Sequence, residues 1–598
     1  MRYLALATDY DGTLAQDGHV DDATLAALEK LLATGRKLIL VTGRDLDDLA
    51  NSFAHFHLFE WIVAENGALL YRPSDKSAKP LSEPPKAEFI QALRDRKVDP
   101  VSIGRVIVAT WQPHEASVLD AIRSVGLELQ VIFNKGAVMV LPSGVNKASG
   151  LLAALAEMDL SPHNVVAVGD AENDHAMLAL CECGVAVANA LPAVKERSDL
   201  VTYGDHGAGV SELIDRLVDD DLRSLGIPRH ELLLGHAADD AEVRIEPADS
   251  RLLICGASGS GKSTVATALV ERLMEHGYQT CVIDPEGDYG SLEGAAILGN
   301  NERGPTIEEI SQLLSKPAQH VVANLIGVPI VDRPSFFLSL LPRLQELRAR
   351  TGRPHWIVVD EAHHVLPATW QPGELALPKD LDRVMWITVE PKLVAPAVLA
   401  TVNTAIAAGE TANAIITSFA QANSESVPAQ PSARLARGEV LYWRRGQERA
   451  QLVRAQPGQK LKQRHSRKYA EGELPPDRSF FFRGPEGKLK LRAQNLYAFL
   501  ELAEGVDAET WEFHLRRGDY SKWFRERIKD DELAEQAEAV ERQSSLAPAD
   551  SLAQIKAAIE EKYTLPSPAT LPMAGTDAAG RFHDGQANEN SDAEAPAS

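Results

Sequence analysis

The runs "YLALATDY", "KLILVTG", "WIVAENG", "NVVAVGD", "GVAVANA" and "LVTYG" are each apolar for a few residues and then end on a polar residue or a glycine. Stretches with helical spacing separate them. Short, continuous apolar runs predict strands buried on both faces, and their alternation with helices predicts a parallel sheet covered on each side. From about Arg72 to Val140 the rhythm breaks into a proline-rich segment and shorter strand-like pieces, "RVIVATW", "LELQVIF" and "AVMVLP", as an inserted cap would. A second rhythm follows, "RLLIC", "TCVID", "HVVANL", "HWIVVD", "VMWITV" and "GEVLYW". The expected organisation is a first α/β domain over 1–218 with its cap at about 72–140, a linker at 219–250 and a second α/β domain over 251–455. A basic linker at 456–468, a helical domain over 469–563 and a disordered tail over 564–598, poor in apolar residues, complete it.

Composition narrows the function classes. A chain of 598 residues with 44% hydrophobic and 24% charged residues is ordinary for several globular domains. The net charge of −24 argues against a surface built to coat nucleic acid. One segment runs the other way: Arg434–Lys468 holds eleven Lys/Arg and two Glu, a solvated linker face or a polyanion site. The four cysteines form no CxxC pair, which predicts reduced core residues and no structural zinc. No apolar stretch approaches the ~18 residues of a membrane span, and the first residues do not read as a signal peptide. A cytoplasmic protein without membrane contact is expected.

The first rhythm carries polar residues at its strand ends. "DYDGT" places Asp9 at the end of one strand and Asp11 two residues on, with Gly12 to turn the chain. Alone, this pair is compatible with a helix cap or a turn. Three further elements fall at the same carboxyl edge, where open α/β sheets bind ligands. Thr42 and Gly43 lie in "VTGR", Lys147 begins the helix "KASGLLAALAEM", and "GDAENDHAML" supplies Asp170, Asn173 and Asp174.

These motifs, with "AENGALL" and "GVAVANALPAVKERSDLVTYGDHGAGV", resemble the haloacid dehalogenase superfamily, in its Cof-like branch, over roughly residues 1–218. The resemblance implies a Rossmann-like phosphatase core. Asp9 would be the nucleophile that forms an aspartyl-phosphate, and Asp11 the acid that protonates the leaving oxygen and then activates water. Thr42, Gly43, Lys147 and Asn173 would hold the phosphoryl group. Asp9, Asp170, Asp174 and Asp11, the last through its backbone carbonyl, would hold Mg²⁺.

The second rhythm carries "GASGSGKST". Gly256, Ala257, Ser258, Gly259, Ser260, Gly261, Lys262 and Ser263 match the phosphate-cradling P-loop, with Thr264 next, between a strand and the helix "TVATALVERLMEHG". Asp360 and Glu361 end the strand of "HWIVVDEAHH", the first suited to the Mg²⁺ shell and the second to orienting an attacking water. This acidic pair favours ATP hydrolysis over transfer to a small acceptor. With "CVIDPEGDYG" and "VEPKLVAPAVLATVNTAIAAG", the segment from about 230 to 445 resembles the HerA/FtsK-type ATPases, which implies a RecA-like fold, ATP as substrate, and assembly into a homo-oligomer. One departure is Val389-Glu390-Pro391 where such ATPases usually carry a polar sensor, with Thr388 or Glu390 as substitutes. Arg444 and Arg445 are candidates for an arginine finger in trans. His363 and His364 read as part of the acidic turn rather than as metal ligands.

The expectation is therefore a multidomain α/β protein: a Mg²⁺-dependent phosphatase of a small phosphorylated metabolite, a sugar phosphate for instance, fused to an ATPase. The alternatives are a nucleic-acid motor with an end-trimming phosphatase, a polynucleotide kinase–phosphatase, and an ATPase that acts as a switch. Nucleic acid is the less favoured partner. The aromatics and basic residues of the last domain read as a small helical core ahead of a base-stacking surface.

Overall fold

The computed structural model describes residues 1–563 apart from 135, 258, 371–380, 433, 459–468, 470–473, 475, 477, 529 and 544. The tail and most of the basic linker therefore lie outside the described residues. The chain forms two compact units, 1–461 and 462–598.

The first unit is built on two large sheets and the small sheet of a cap. Strands β1 (Ala5–Thr8), β2 (Lys37–Val41), β3 (Trp61–Ala64), β4 (Leu69–Arg72) and β5 (Ser77–Pro80) lead to a cap sheet of β6 (Ser102–Ile103), β7 (Val108–Trp111), β8 (Leu129–Asn134) and β9 (Ala137–Pro142). The core then continues with β10 (Val165–Gly169), β11 (Cys183–Ala186) and β12 (Leu200–Val201). The core order is β12-β11-β10-β1-β2-β3-β4-β5, and the cap order is β6-β7-β9-β8. β1 is fully buried and pairs in parallel with β10 and β2, so the apolar run of the sequence becomes the centre of the sheet. Ser77–Pro80, read from sequence as the start of the cap, instead pairs with β4 in the core sheet.

The second sheet has eleven strands: β13 (Leu232–His236), β14 (Glu242–Ile245), β15 (Arg251–Cys255), β16 (Thr280–Asp284), β17 (Ala295–Leu298), β18 (His320–Asn324), β19 (Trp356–Val359), β20 (Val384–Thr388), β21 (Thr404–Ala408), β22 (Glu439–Arg444) and β23 (Gln451–Ala455). Their order is β14-β13-β23-β22-β21-β15-β20-β19-β16-β18-β17. The stretch 219–250, expected as a linker, contains the hairpin β13–β14. Leu232, Leu234, Val243 and Ile245 alternate into the core around a polar Asp-rich turn. A hydrophobic pattern of period two decides in favour of strands there.

The two sheets meet at the amino-terminal ends of their strands. Asn164, just before β10, donates to the Gly352 carbonyl (3.4 Å) and its amide oxygen lies 3.2 Å from His355 Nε2, just before β19. His163 Nε2 faces the His276 carbonyl at 2.7 Å, and Tyr278 donates to both oxygens of Glu182 at 3.0 and 3.1 Å. Ligand-binding edges of parallel sheets lie at the carboxyl ends. The two candidate sites therefore open away from each other.

The second unit is mainly helical but not wholly so. "FFF" forms strand β24 (Phe480–Phe482), paired with β25 (Leu491–Ala493), where amphipathic helix was expected. Turn glycines at 484 and 487 and the burial of Phe480 and Phe482 explain the hairpin. The aromatics are core: Trp511 stacks on Tyr520 with centroids 4.4 Å apart, and Phe499 on Trp523 at 5.2 Å. All four are buried, which removes the base-stacking reading for them.

Candidate active sites

At the first carboxyl edge, Asp9 follows β1 and Asp170 follows β10, the parallel neighbour of β1. Lys147 opens the helix Lys147–Glu157, whose start is fixed by a capping box between Asn146 and Ser149. Its buried ammonium donates to Asp9 Oδ1 at 2.6 Å and to Asp174 Oδ1 at 2.5 Å. The second oxygen of Asp174 accepts the amides of Asp170 and Ala171, both at 2.9 Å. Thr13 Oγ1 donates to Asp170 (3.1 Å) and to Asp9 (3.3 Å). Asp9, Asp170 and Asp174 are all buried, with one oxygen of each within 4.8 Å of the others.

Three carboxylates face one ammonium here. Burial first, and then the charge of Asp174, pushes the Asp9 carboxyl up to about 8, against the opposing pull of Lys147. Burial works against the Lys147 charge, but Asp174 and Asp9 more than offset it and hold the ammonium above its usual value. The site carries an excess of buried negative charge in hard oxygen ligands, which suits a divalent cation such as Mg²⁺.

The remaining residues divide. Thr42 is buried at the end of β2, and its carbonyl accepts the amide of Asn66. Asn173 donates to Asn66 Oδ1 at 3.1 Å. Gly43 lies under the cap, where an added side chain would meet the Met139 methyl at 3.4 Å. Asp11 is gripped by Arg44. Arg44 Nε and Nη2 each donate to one of its oxygens at 2.7 Å. Arg44 also reaches Asp48 and Ser52 and lies over the Tyr10 ring. The sequence reading quoted Arg44, Thr13 and Asn66 within motifs without giving them roles. Their signal was adjacency to Thr42, Asp11 and Glu65.

At the second edge, β15 runs into the P-loop and the helix Lys262–Glu275. Ser258 lies outside the described residues. Gly259 and Gly261 have φ of +82° and +93°, a region that favours glycine, and Gly256 packs so tightly against Ser260 and the Ala408 carbonyl that a side chain would collide. Ser263 and Thr264 are exposed on the first turn of the helix. Lys262 donates to Glu361 Oε1 at 2.5 Å. Glu361 holds a left-handed backbone, φ +39°, of the kind non-glycine residues keep mainly at functional sites. Asp360 is buried beside it, and burial, opposed by Lys262, pushes its carboxyl well above the usual range.

β20 lies between β15 and β19, and its last residue, Thr388, is 3.1 Å from His363 Nδ1. This places Thr388, not Glu390, in contact with the acidic turn. Glu390 pairs instead with Lys392. Arg444 and Arg445, the candidates for a finger in trans, are each held in an ion pair within this chain. Arg444 pairs with Asp249 (2.9 Å) and Arg445 with Glu425 (2.6 Å), and Arg444 lies opposite Thr404, at the start of β21 and the far end of the sheet from the P-loop. Among the described residues no helix is long and apolar enough to cross a membrane.

Residues 6–112 and 120–214 match the family model for haloacid dehalogenase-like hydrolases, and residues 233–330 that for the central domain of the helicase HerA. Phosphoglycolate phosphatase 2 of Saccharolobus solfataricus is 31% identical over 220 residues, which cover 36% of this chain and 92% of the relative. A phosphoglycolate phosphatase of Halorubrum lacusprofundi is 33% identical over 218 residues, covering 34% and 94%. A haloacid dehalogenase-like hydrolase structure from Bacteroides thetaiotaomicron, 19% identical with a TM-score of 0.32, covers 36% of this chain and 99% of its own. Through its first 220 or so residues the chain belongs to the haloacid dehalogenase-like hydrolases, as a phosphatase fused to a HerA-type ATPase domain.

Proposed function

We propose that the first body hydrolyses a small phosphomonoester through an aspartyl-phosphate on Asp9, and that the second hydrolyses ATP at the P-loop. The observation that carries the first half is the buried cluster of Asp9, Lys147, Asp170 and Asp174 beneath a cap. Asp9 Oδ attacks phosphorus, and the bond from phosphorus to the ester oxygen breaks. Lys147 offsets the charge of the phosphoryl oxygens, with Thr42, the Gly43 backbone and Asn173 as further contacts. Asp11, once released from Arg44, gives its proton to the leaving oxygen. It then takes a proton from the water that attacks phosphorus, so that Asp9 is freed as a carboxylate and phosphate departs. Mg²⁺, held by Asp9, Asp170 and Asp174 with the Asp11 carbonyl, would supply charge neutralisation at the phosphoryl group.

The cap favours a small substrate over a polymer end. Relatives named phosphoglycolate phosphatases place a short phosphorylated acid first in a substrate panel, with sugar phosphates next. A kinase–phosphatase acting on one polymer end is disfavoured because the two sites open in opposite directions. In the second body, Lys262 contacts the nucleotide phosphates, Ser263 and Asp360 serve the Mg²⁺ shell, and Glu361 orients water. Assembly into an oligomer and a cytoplasmic location remain part of this reading, with Arg444 and Arg445 as finger candidates that would first have to leave Asp249 and Glu425. The test is a phosphatase panel of phosphoglycolate, sugar phosphates, nucleotides and DNA ends, run with and without ATP. Turnover of DNA ends in preference to every small ester would overturn it.

A further inference from the structure

Glu65 has no role in the chemistry above, yet it is among the most constrained residues of the first body. It directly follows β3, is 1% exposed, and has a φ of +52°, followed by Asn66 at +53°. Left-handed backbone at two successive non-glycine residues is unfavourable and persists where surrounding contacts demand it. Here those contacts lie on both sides of a seam. On the core side, Glu65 N donates to the Arg44 carbonyl (2.8 Å) and Asn66 N to the Thr42 carbonyl (2.9 Å). On the cap side, the Glu65 carboxylate accepts three consecutive backbone amides of the β6–β7 turn: Arg105 N on Oε1 at 2.8 Å, and Val106 N and Ile107 N on Oε2 at 2.7 and 2.9 Å. Consecutive amides aimed at one point form an anion nest, and hydrogen bonds to an ionised acceptor are roughly twice as strong as neutral ones.

The fit is close. Any side chain at Gly104 would meet the carboxylate at 2.8–3.0 Å. Around the nest, Ala68 from the core packs with Val106, Ile107, Met139 and Leu141 from the cap. The same turn of chain that grips the cap also binds Thr42, Arg44 and Asn173.

We propose that Glu65 is the latch that holds the cap over the phosphatase site, a positioning residue for substrate binding. A carboxylate suits a reversible latch. When the cap lifts, the carboxylate and the three amides all regain water, so opening leaves no buried polar group unpaired. An apolar residue at position 65 would leave three amide donors without an acceptor in the closed state. This inference rests on the phosphatase reading, but part of its test does not.

The experiment compares Glu65→Ala, Glu65→Gln and Gly104→Ala in the full chain. Gly104→Ala disturbs the nest without altering Glu65 or any residue of the chemistry. Expected are a tenfold or greater rise in KM for a small phosphomonoester with kcat changed less than threefold in Glu65→Ala and Gly104→Ala. Glu65→Gln, with one acceptor oxygen left, falls between. Hydrogen exchange at the amides of 105–107 should quicken tenfold or more in both strong variants, with β1 amides unchanged. Wild-type exchange at 105–107 in Glu65→Ala overturns the latch, as does quickened exchange in β1, which would mark a merely structural role. A KM unchanged while exchange quickens overturns its part in substrate binding. A wild-type chain inactive on every ester would refute the phosphatase reading, and exchange alone would then decide the latch.

Discussion

Both carboxyl edges pair a lysine with carboxylates, Lys147 with Asp9 and Asp174 and Lys262 with Glu361, but they do so in different surroundings. At the first edge Lys147 is 1% exposed between Asp9 and Asp174, and the cap closes the site through Glu65. The lysine there sits where a phosphoryl group would need it, and Asp11 is gripped by Arg44. At the second edge the ion pair joins the two groups that would act on ATP, Lys262 and Glu361. Each neutralises the other, so nucleotide phosphate must displace Glu361 before Lys262 can bind it. In the first site the lysine is held by the nucleophile and a neighbouring carboxylate beneath a cap; in the second it is held by the residue suited to orient water.

The largest expected effect tests the first half of that contrast. Asp9→Asn should lower phosphatase turnover by at least ~10³-fold with the fold intact, since the amide is a poor nucleophile. Substantial turnover by the pure variant would show that this site is not the reacting one. Next in size is the second pair. Lys262→Ala should abolish ATP hydrolysis. Glu361→Gln should stall hydrolysis by about 10²-fold or more while binding ATP at least as tightly as the wild type, because it releases Lys262. If Glu361→Gln weakened ATP binding, the pair would be supporting the site rather than restraining it.

A smaller effect distinguishes Asp11 from its neighbours. Arg44→Ala should cut kcat by roughly tenfold to a hundredfold, short of the ~10²–10⁴-fold that losing a general acid–base itself would cost, because Asp11 remains. The fork fixes the position of the Asp11 carboxyl. An Arg44→Ala variant faster than wild type at every pH would instead make the pair purely inhibitory.

Local pattern made the strand ends legible, and hence Asp9, Lys147, Asp170, Lys262 and Asp360, because each sits at a change from apolar run to polar turn. It failed where the deciding partner is distant. The hairpin β13–β14 passed as a linker since its strands are short and its sequence acidic, and only β23 beside β13 reveals the sheet. Arg44 was readable as a residue but not as the partner of Asp11, 33 positions away. The seam between the two bodies, Glu182 with Tyr278, Asn164 with His355, joins residues 96 and 191 positions apart and leaves no mark in either local segment.

That seam carries the last prediction, smallest in activity and clearest in stability. Glu182 is buried among Arg2, His163, His230 and Tyr278, with Arg383, Cys183 and His355 nearby. His163 faces the Glu182 carboxylate with one ring nitrogen (2.5 Å) and the His276 carbonyl with the other (2.7 Å). Burial, aided by Arg229 and His163 and opposed by Glu182, lowers His230 from 6.5 to about 4, and burial with His163 and Arg383 holds His355 well below its usual value. Glu182 is held well below the usual carboxylate range: burial opposes its charge, but His163 and Arg2 prevail. The signs agree. Below pH 6.5 the unfolded chain takes protons on two histidines that the folded chain refuses, and below about 4.5 it protonates a glutamate that the folded chain keeps ionised. The contribution of this seam should therefore fall from pH 6.5 toward 4, against the opposite slope of Asp9, and is read as the difference in first thermal transition between wild type and His230→Gln, which should narrow as pH falls. The same contacts place the smallest active fragment later than Val218. Asp221 accepts from Arg36 and from the amides of Arg2 and Tyr3, and Arg229 ties the chain to Asp199 and to the carbonyls of 179, 181 and 182. A fragment ending at Glu231 should keep phosphatase activity and one ending at Val218 should lose stability. Equal melting of the two, or a pH-independent difference between wild type and His230→Gln in the full chain, would show that the joint contributes nothing to holding the first body together.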